Sequence, residues 1–478
     1  MVFSSPTFLF LFLPAVLLAT WVAPTPLRRF VLLAASLGFY AWGVQEFLLV
    51  IVASTLLDWA LARGIERRHR ADGSRAARIL LLAGLGQNLG LLAYFKYGGF
   101  ASEQAARLAD LFGLGGPGTL EVVLPIGISF FTFEKISYLV DVWRGDVRAR
   151  RDPFDVLLFV ALFPRSIAGP IVRLREIQHD LRRPQPSLEG VSEGAVRFSQ
   201  GLAKKVLIAD QIAPVADACF ATASQGGDLS MTAAWLGALV YALQLYFDFS
   251  GYSDMAIGIG RMLGFKLPEN FDRPYSALSV TDFWRRWHMT LSRWFRDYVY
   301  IPLGGSRGSE RTTIRNLLIV FGLTGLWHGA AWAFVVWGFY HGAWLIIERR
   351  FGWRATEGPV RLPALRRALL VLIVVVGWVM FRAESMSLAL DYYGAMLSPS
   401  LGLTPEIAAT LTLQTKLMLV IACLVFVLPR SPKERWLRTP SPGVSALAAR
   451  AALVFVGLPY ALTMAFSSSF SPFLYFQF

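Results

Sequence analysis

Cysteine, histidine and charged residues are scarce in this sequence. Cys219 and Cys423, the two cysteines, lie far apart without metal-ligand or redox spacing, which excludes a disulfide framework. Five scattered histidines do not form the ligand set of a metal site, so we predict no bound metal. The pattern G-x-S-x-G occurs at residues 190–194 and 304–308, but neither copy follows a predicted strand as a nucleophile elbow does, which sets aside serine-hydrolase chemistry. Charged residues make up only 16% of the chain.

Apolar residues dominate instead. The 478-residue chain is 55% hydrophobic and has a mean hydropathy of +0.50, more apolar surface than a soluble protein of this size can bury. We therefore predict an all-α, polytopic membrane protein with one domain over residues 1–478 and roughly 10–12 transmembrane helices. The net charge of +14 comes from short basic clusters between apolar runs. That pattern predicts a lipid bilayer as partner, and no nucleic acid.

The most unusual stretch is residues 317–347, a long apolar run that contains His328 and His341. As one helix it would be about 46 Å long at ~1.5 Å per residue, against a hydrocarbon core of roughly 30 Å. It is therefore either broken at its Gly-rich centre or longer than a membrane requires. An ionisable group at such depth is costly and is a functional candidate by default. The alternative for His328 is a hydrogen bond between helices that serves packing alone.

Residues 281–300 have the periodicity of an amphipathic helix. An apolar stripe rich in tryptophan faces one side, whereas Arg285 and Arg286 lie on the other side. The pattern predicts a single helix in the membrane interface that begins near Thr281, with Ser279 in a capping sequence. His288 lies just beyond the edge of the stripe, where it is either a functional residue or one more interfacial histidine.

Several polar residues fall within other apolar runs. Gln244 and Asp248 are one helical turn apart and share a face; a buried Asp248 needs a partner, of which a nearby arginine is the simplest. Glu134 and Lys135 indicate a broken helix that lines protein or water, unless they form a mutual ion pair or snorkel. Two prolines and a glycine within residues 163–170 predict an irregular, re-entrant segment.

This combination of residues favours chemistry at a buried histidine. A neutral imidazole is available as a base near neutral pH, and it can take the proton of an acceptor hydroxyl during acyl transfer. A transporter in which His328 and Asp248 form a proton relay is an alternative, although we detect no inverted repeat. A non-catalytic membrane anchor is a third hypothesis, but an anchor has no need of histidines at membrane depth.

Five motifs together identify a family resemblance. The chain resembles the membrane-bound O-acyltransferase family, and within it the bacterial polysaccharide branch, at residues 124–134, 168–173, 244–254, 283–288 and 326–329 and in the aromatic tail that begins at Phe473. The resemblance implies a ring of tilted helices around a central funnel. It also implies that His328 is the catalytic histidine and His288 the second motif histidine. Trp327, Gln244, Asp248, Arg285, Arg286, Glu134 and Arg165 become candidates for binding or supporting roles.

The resemblance also implies the reaction and its setting. It predicts a multi-pass protein of the bacterial inner membrane that uses a cytosolic acyl donor, acetyl-CoA, and no tightly bound cofactor. The acyl group would be delivered with periplasmic partner proteins to hydroxyl groups of an exported polysaccharide such as alginate. Several family members carry histidine where this chain has Arg165. Cellulose, another exopolysaccharide or peptidoglycan therefore stay open as acceptors. This mechanism predicts that water-lined passages from both sides meet at His328.

Overall fold

The computed structural model of the chain describes residues 2–71, 74–114, 118–353, 362–427, 444–467 and 473–474. Every regular element within these ranges is helical, which confirms the predicted all-α class. The chain divides into two compact units, residues 1–195 with 256–268 and residues 196–255 with 269–478. The single domain over residues 1–478 stays a prediction.

The first unit contains eight complete α-helices among the described residues. They are α1 (Leu13–Val22), α2 (Thr25–Val44), α3 (Leu48–Ala71), α4 (Ser74–Leu92), α5 (Gly98–Leu111), α6 (Ile128–Arg144), α7 (Pro153–Ala161) and α8 (Leu174–Arg182). Residues 162–173, between α7 and α8, form an irregular and largely buried segment. This confirms the prediction made from Pro164 and Pro170, because proline cannot continue a helix and restricts the residue before it.

The second unit follows in the chain, and its boundary with the first falls within two helices, α9 (Leu188–Ala203) and α11 (Met231–Met262). The remaining helices are α10 (Asp210–Ser224), α12 (Val280–Arg286), α13 (Met289–Phe295), α14 (Glu310–His328), α15 (Trp332–Arg350), α16 (Pro363–Arg382), α17 (Met386–Leu397), α18 (Pro405–Thr410), α19 (Leu413–Val427), α20 (Val444–Ala452) and α21 (Leu458–Ser467).

Among the residues that the structure describes, five helical stretches are long and apolar enough to cross a membrane. They are Gln45–His69, Arg75–Leu111, Leu188–Ser224, Pro363–Arg382 and Leu447–Phe466, and the shorter apolar helices Thr7–Val22 and Leu413–Phe426 add to them. Large apolar side chains remain exposed on several of them, among them Leu82, Leu417 and Phe455. Such exposure is typical of helices that face lipid, and extended apolar surface is rare on soluble monomers. The predicted count of 10–12 spans stays a prediction.

The long apolar stretch around His328 is broken, which is one of the two alternatives that its length left open. Helix α14 ends at His328, and α15 begins at Trp332 after three non-helical residues. The two helices then approach closely along their glycines. A Cβ atom on Gly325 would lie 2.2 Å from the carbonyl oxygen of Phe334, and one on Gly338 would lie 2.2 Å from that of Phe321. Small residues at these positions thus permit the backbones to meet and bring α15 against the end of α14.

The predicted interfacial helix over residues 281–300 is wrong in one respect. The Ser279 side chain does cap the helix, since its oxygen accepts a hydrogen bond from the Asp282 N–H at 3.0 Å. However, α12 ends at Arg286 and α13 begins at Met289, because the backbone of His288 is left-handed with φ 44°. Periodicity alone treats the two helices as continuous and therefore missed this kink.

Candidate active site

His328 lies in a wall of aromatic side chains in the second unit. The centroid of its ring is 4.9 Å from that of Trp327, 5.1 Å from that of Trp337 in α15 and 5.0 Å from that of Phe381 in α16. The residue is only 5% exposed. Three helices therefore surround the imidazole with apolar rings. The water-lined passages to His328 stay a prediction.

His288 is also buried in the second unit, between α12 and α13. Its ring meets Phe249 edge-on at 4.8 Å between centroids and lies 5.9 Å from Trp327. Trp327 contacts both imidazoles, and in this way the structure brings the two predicted catalytic histidines into one aromatic cluster. His288 is 1% exposed, so its ring is packed inside the protein, and its functional role stays a prediction.

Burial also determines the charge of His288, which lies outside the candidate spans. Desolvation lowers the pKa of His288 from its ordinary value of 6.5 to about 3. The imidazole is therefore neutral at any physiological pH. A neutral ring has one N–H donor and one lone pair, and the direction of each depends on which nitrogen holds the proton.

Asn270, which sequence reasoning missed, binds the segment around His288. Its Oδ1 accepts hydrogen bonds from the N–H and the hydroxyl of Thr290 at 3.3 and 2.9 Å, and lies 3.1 Å from Nδ1 of His288. Its Nδ2 donates to Ser253 Oγ at 3.1 Å, and its backbone oxygen accepts from the Met289 N–H at 2.9 Å. Asn270 is 18 residues from His288 in a non-helical segment, so no helical spacing links the two.

Asp248 of α11 is held by Lys205 rather than by an arginine. The Lys205 ammonium lies 2.7 Å from Oδ1 of Asp248 and 2.8 Å from Oδ1 of Asp210. The Leu474 N–H donates to Oδ2 of Asp248 at 3.0 Å. The predicted arginine partner is thus wrong. Lys205 lies in a π-helical turn, Lys204–Ala209, a rare geometry that is frequent at functional sites and that amphipathic periodicity does not reveal.

Phe473, the first residue of the aromatic tail, packs beside the same helix. The ring of Phe473 lies 4.6 Å from that of Tyr252 and 5.8 Å from that of Phe249. Phe249 in turn contacts His288. Phe473 thus belongs to the same aromatic cluster as the histidine. Two further tail residues of the motif, Tyr475 and Phe476, lie outside the described residues.

Gln244, Arg285 and Arg286 occupy three different settings. Gln244 is buried in α11, where its Oε1 has no hydrogen-bond partner among the described residues. Arg286 is partly exposed; its Nε donates to Oδ1 of Asp282 at 2.9 Å, and Nη1 lies 3.9 Å from Oδ2 of Asp272. Arg285 is exposed. Neither arginine is buried with the histidines, and the supporting roles of all three residues stay predictions.

Glu134 and Arg165 form a buried ion pair within the first unit. The Glu134 carboxylate on α6 accepts a hydrogen bond from Nη1 of Arg165, which comes from the irregular segment 162–173. Lys135 turns to Asp58 instead, with Nζ 3.3 Å from Oδ2. The hypothesis of a mutual Glu134–Lys135 pair is therefore wrong. Snorkelling is wrong as well, since both side chains are buried.

A third histidine, His341 of α15, lies in the same aromatic wall as His328. Its ring centroid is 5.1 Å from that of Trp337 and 5.0 Å from that of Trp284. Neither ring nitrogen has a hydrogen-bond partner within the part of the chain that the structure describes. Nor do three or more His, Cys, Asp or Glu side chains converge there as a metal site. A substitution of His341 can therefore serve as the control for the same substitution of His328.

Comparison with known proteins decides the family. A profile of the membrane-bound O-acyltransferase family matches residues 116–398, a range that contains all of the candidate residues. The chain belongs to the membrane-bound O-acyltransferase family. It is 42% identical to a probable alginate O-acetylase AlgI of Azotobacter vinelandii over the full length of both chains. It is 37% identical to a peptidoglycan O-acetyltransferase of Helicobacter pylori, across 83% of this chain and 80% of that protein.

A more distant relative is named for a different transferase activity. A teichoic acid D-alanyltransferase of Streptococcus thermophilus is 31% identical over 48% of this chain and 58% of that protein. The family membership and the relatives confirm the predicted enzyme class, an O-acetyltransferase. Together with the apolar helices, they also make the chain a multi-pass membrane protein. The comparisons therefore favour an enzyme over the transporter and anchor hypotheses.

Proposed function

We propose that this protein transfers an acetyl group from cytosolic acetyl-CoA to hydroxyl groups of an exported polysaccharide, and that His328 is the general base, with His288 as the second catalytic histidine beside it. The observation that carries the proposal is the burial of both imidazoles against one indole, that of Trp327. Acyl transfer to a hydroxyl needs a base that is neutral before reaction, and an apolar setting favours the neutral form.

The reaction is balanced by one proton that passes through the histidine. The base, His328, takes the proton of the acceptor hydroxyl as its oxygen attacks the thioester carbonyl. The new C–O ester bond forms, the C–S bond breaks, and the proton passes from the imidazolium to the leaving thiolate. The aromatic rings around His328 support this role, because they limit the water that would hydrolyse the donor.

The acceptor that the comparisons support best is alginate. The Azotobacter relative, which by its name is a probable alginate O-acetylase, aligns over the full length of both chains. The Helicobacter relative, named for peptidoglycan, is less similar and aligns over less of the chain. Cellulose or another exopolysaccharide are further acceptors of the same chemistry. In this proposal the enzyme lies in the bacterial inner membrane, and periplasmic partner proteins bring the polymer and the acetyl group together.

A pair of identical substitutions tests the catalytic assignment. His328→Leu should lower the acetyl content of the polymer by about 10²–10⁴-fold, the usual contribution of a general base. His341→Leu is the matched control: a buried histidine of the same aromatic wall, its neighbour through Trp337, with no proposed chemical role. Polymer acetylation is measured in cells in which both variants accumulate in membranes to the wild-type level. Retained acetylation in the His328 variant, or equal loss in both, refutes the assignment.

The donor is tested separately in inverted membrane vesicles from a host that makes the polymer. Acetyl-CoA labelled in its acetyl group is added outside the vesicles, which is the cytosolic face. We expect label to appear as ester on polymer inside the vesicles, and to be absent with the His328→Leu variant. Label that reaches polymer equally with and without this protein would contradict acetyl-CoA as its donor.

A further inference from the structure

Asn270 has an amide whose orientation follows from its neighbours. The Thr290 backbone N–H can only donate, and it points at one terminal atom of the Asn270 side chain at 3.3 Å, which must therefore be the oxygen. The other terminal atom is then the nitrogen, and it lies 3.1 Å from Ser253 Oγ, which accepts its hydrogen bond. The amide is thus fixed by a backbone group on one side and by helix α11 on the other.

This orientation determines the tautomer of His288. Nδ1 of His288 lies 3.1 Å from Oδ1 of Asn270, and an amide oxygen is an acceptor only. Nδ1 must therefore hold the proton and donate it to Asn270. Because the ring is neutral, the lone pair resides on Nε2.

We propose that Asn270 is a positioning residue that holds His288 as the Nδ1–H tautomer, so that Nε2 of His288 acts in the reaction as a hydrogen-bond acceptor. The inference rests on the proposed function and deepens it by stating that the second histidine accepts, rather than donates, a hydrogen bond. As an acceptor, Nε2 orients the sugar by binding a hydroxyl group other than the one that attacks the thioester, because the single proton of the attacking hydroxyl goes to His328. It does not donate to the oxyanion of the acyl group, a role that requires an N–H at that nitrogen.

The backbone around His288 supports a role in positioning. The residue has φ 44° and ψ 54°, a left-handed conformation that is uncommon for any residue except glycine. Asn270 binds both residues that follow, through its backbone oxygen to the Met289 N–H at 2.9 Å and through its side chain to Thr290. A backbone in a sparsely populated conformation persists when its surroundings over-determine it, as they do here. The edge-on contact with Phe249 fixes the ring plane as well.

The tautomer can be measured on the wild-type protein directly. The full-length chain is purified in detergent with ¹⁵N-labelled histidine rings, and the His288 signals are assigned by their absence in His288→Gln. We expect Nδ1 to be protonated and Nε2 unprotonated across neutral pH. A protonated Nε2 in the wild-type protein overturns the proposal, whatever the activity of any variant.

Two substitutions then separate positioning from folding. Asn270→Leu has a similar volume but no acceptor, so His288 should lose its single tautomer and kcat should fall by roughly 10–100-fold, as for other orienting partners of histidine, at unchanged KM for acetyl-CoA. Asn270→Asp keeps an acceptor oxygen and should restore the Nδ1–H signal and part of kcat. Both are assayed by ester formation on polymer in inverted vesicles with equal amounts of enzyme.

The outcomes distinguish this inference from the proposed function. If Asn270→Leu keeps the wild-type tautomer, or keeps the wild-type kcat while His328→Leu is inactive, Asn270 does not position the ring and the enzyme assignment stands. If His328→Leu is active, the proposed function fails even where the tautomer is as expected. Equal loss in the leucine and aspartate variants, with no recovery of the Nδ1–H signal in the latter, also contradicts the positioning role.

Discussion

Replacing Lys205 by methionine removes a buried cation that lies between two carboxylates, Asp248 and Asp210. The ammonium is 2.7 Å from the first and 2.8 Å from the second, and Asp248 is 1% exposed. The variant leaves Asp248 charged in an apolar setting, with the Leu474 N–H as its described donor. Breaking a buried pair in this way costs about 3–5 kcal/mol, because one charge remains without compensation.

The partner substitution should cost less. Asp248→Asn keeps the shape and an oxygen for the Leu474 N–H, and Lys205 keeps Asp210 as its counter-charge. The loss is then that of one hydrogen bond between charged groups, about 1.5–3 kcal/mol. In the double variant no carboxylate is left at position 248, so it should be more stable than Lys205→Met alone. Such coupling is typical of residues in one ion-pair network.

The assay is equilibrium unfolding of the detergent-purified, full-length protein in a denaturing detergent, followed by tryptophan fluorescence. Arg107→Met is the matched control, since it breaks the exposed pair with Glu103 on α5 and should cost about 0.5 kcal/mol or less. A Lys205→Met variant as stable as Asp248→Asn, or a double variant that shows the sum of both losses, would refute the reasoning from burial.

Three further predictions follow from local geometry. Gly325→Ala should destabilise the protein by about 1–3 kcal/mol, because the new Cβ meets a carbonyl oxygen of α15. Its control, Gly38→Ala on α2, places the new Cβ in open space and should be stabilising. Thermal midpoints that shift alike in the two variants contradict this prediction. Leu474→Pro removes the N–H that binds Asp248 and should cost about 1–3 kcal/mol more than Leu474→Ala, which keeps it, by the same midpoints. Lowering the pH from 7 to 5 should destabilise the wild-type protein relative to His288→Gln. The reason is that His288 takes up a proton near pH 6.5 in the unfolded chain, whereas its pKa in the folded protein is about 3. Thermal midpoints of the two proteins that depend equally on pH argue against a buried neutral ring.

The sequence was informative wherever the signal was local. The excess length of residues 317–347 predicted either a break or an over-long helix, and the structure has the break, after His328. The prolines around residue 165 predicted the irregular segment between α7 and α8. The hydroxyl of Ser279 predicted the start of α12. Each of these features depends on neighbours within a few residues, which is the range over which helix length, proline and capping act.

Contacts between distant segments were the ones missed. Asp248 forms an ion pair with Lys205, and His288 forms a hydrogen bond with Asn270. Both contacts span loops and helix ends whose geometry no periodicity encodes. The kink at His288 was missed for a related reason, since it is the bonds to Asn270 that hold the left-handed residue in place. His328 was found because an ionisable residue within an apolar run is costly, and that cost is visible in sequence alone. The periodicity left the role of His288 open, and only the family resemblance singled it out.

The hydrogen bond between Leu474 and Asp248 joins residues 226 positions apart, which sets an order of events during biosynthesis. At about 5–20 residues per second, the ribosome adds the tail roughly 10–45 s after Asp248 has been made. Throughout that interval Lys205 and Asp210, both already synthesised, are present to balance the charge of the new carboxylate. The nascent enzyme can thus insert α11 early, and the hydrogen bond to Asp248 forms only after Leu474 has been made.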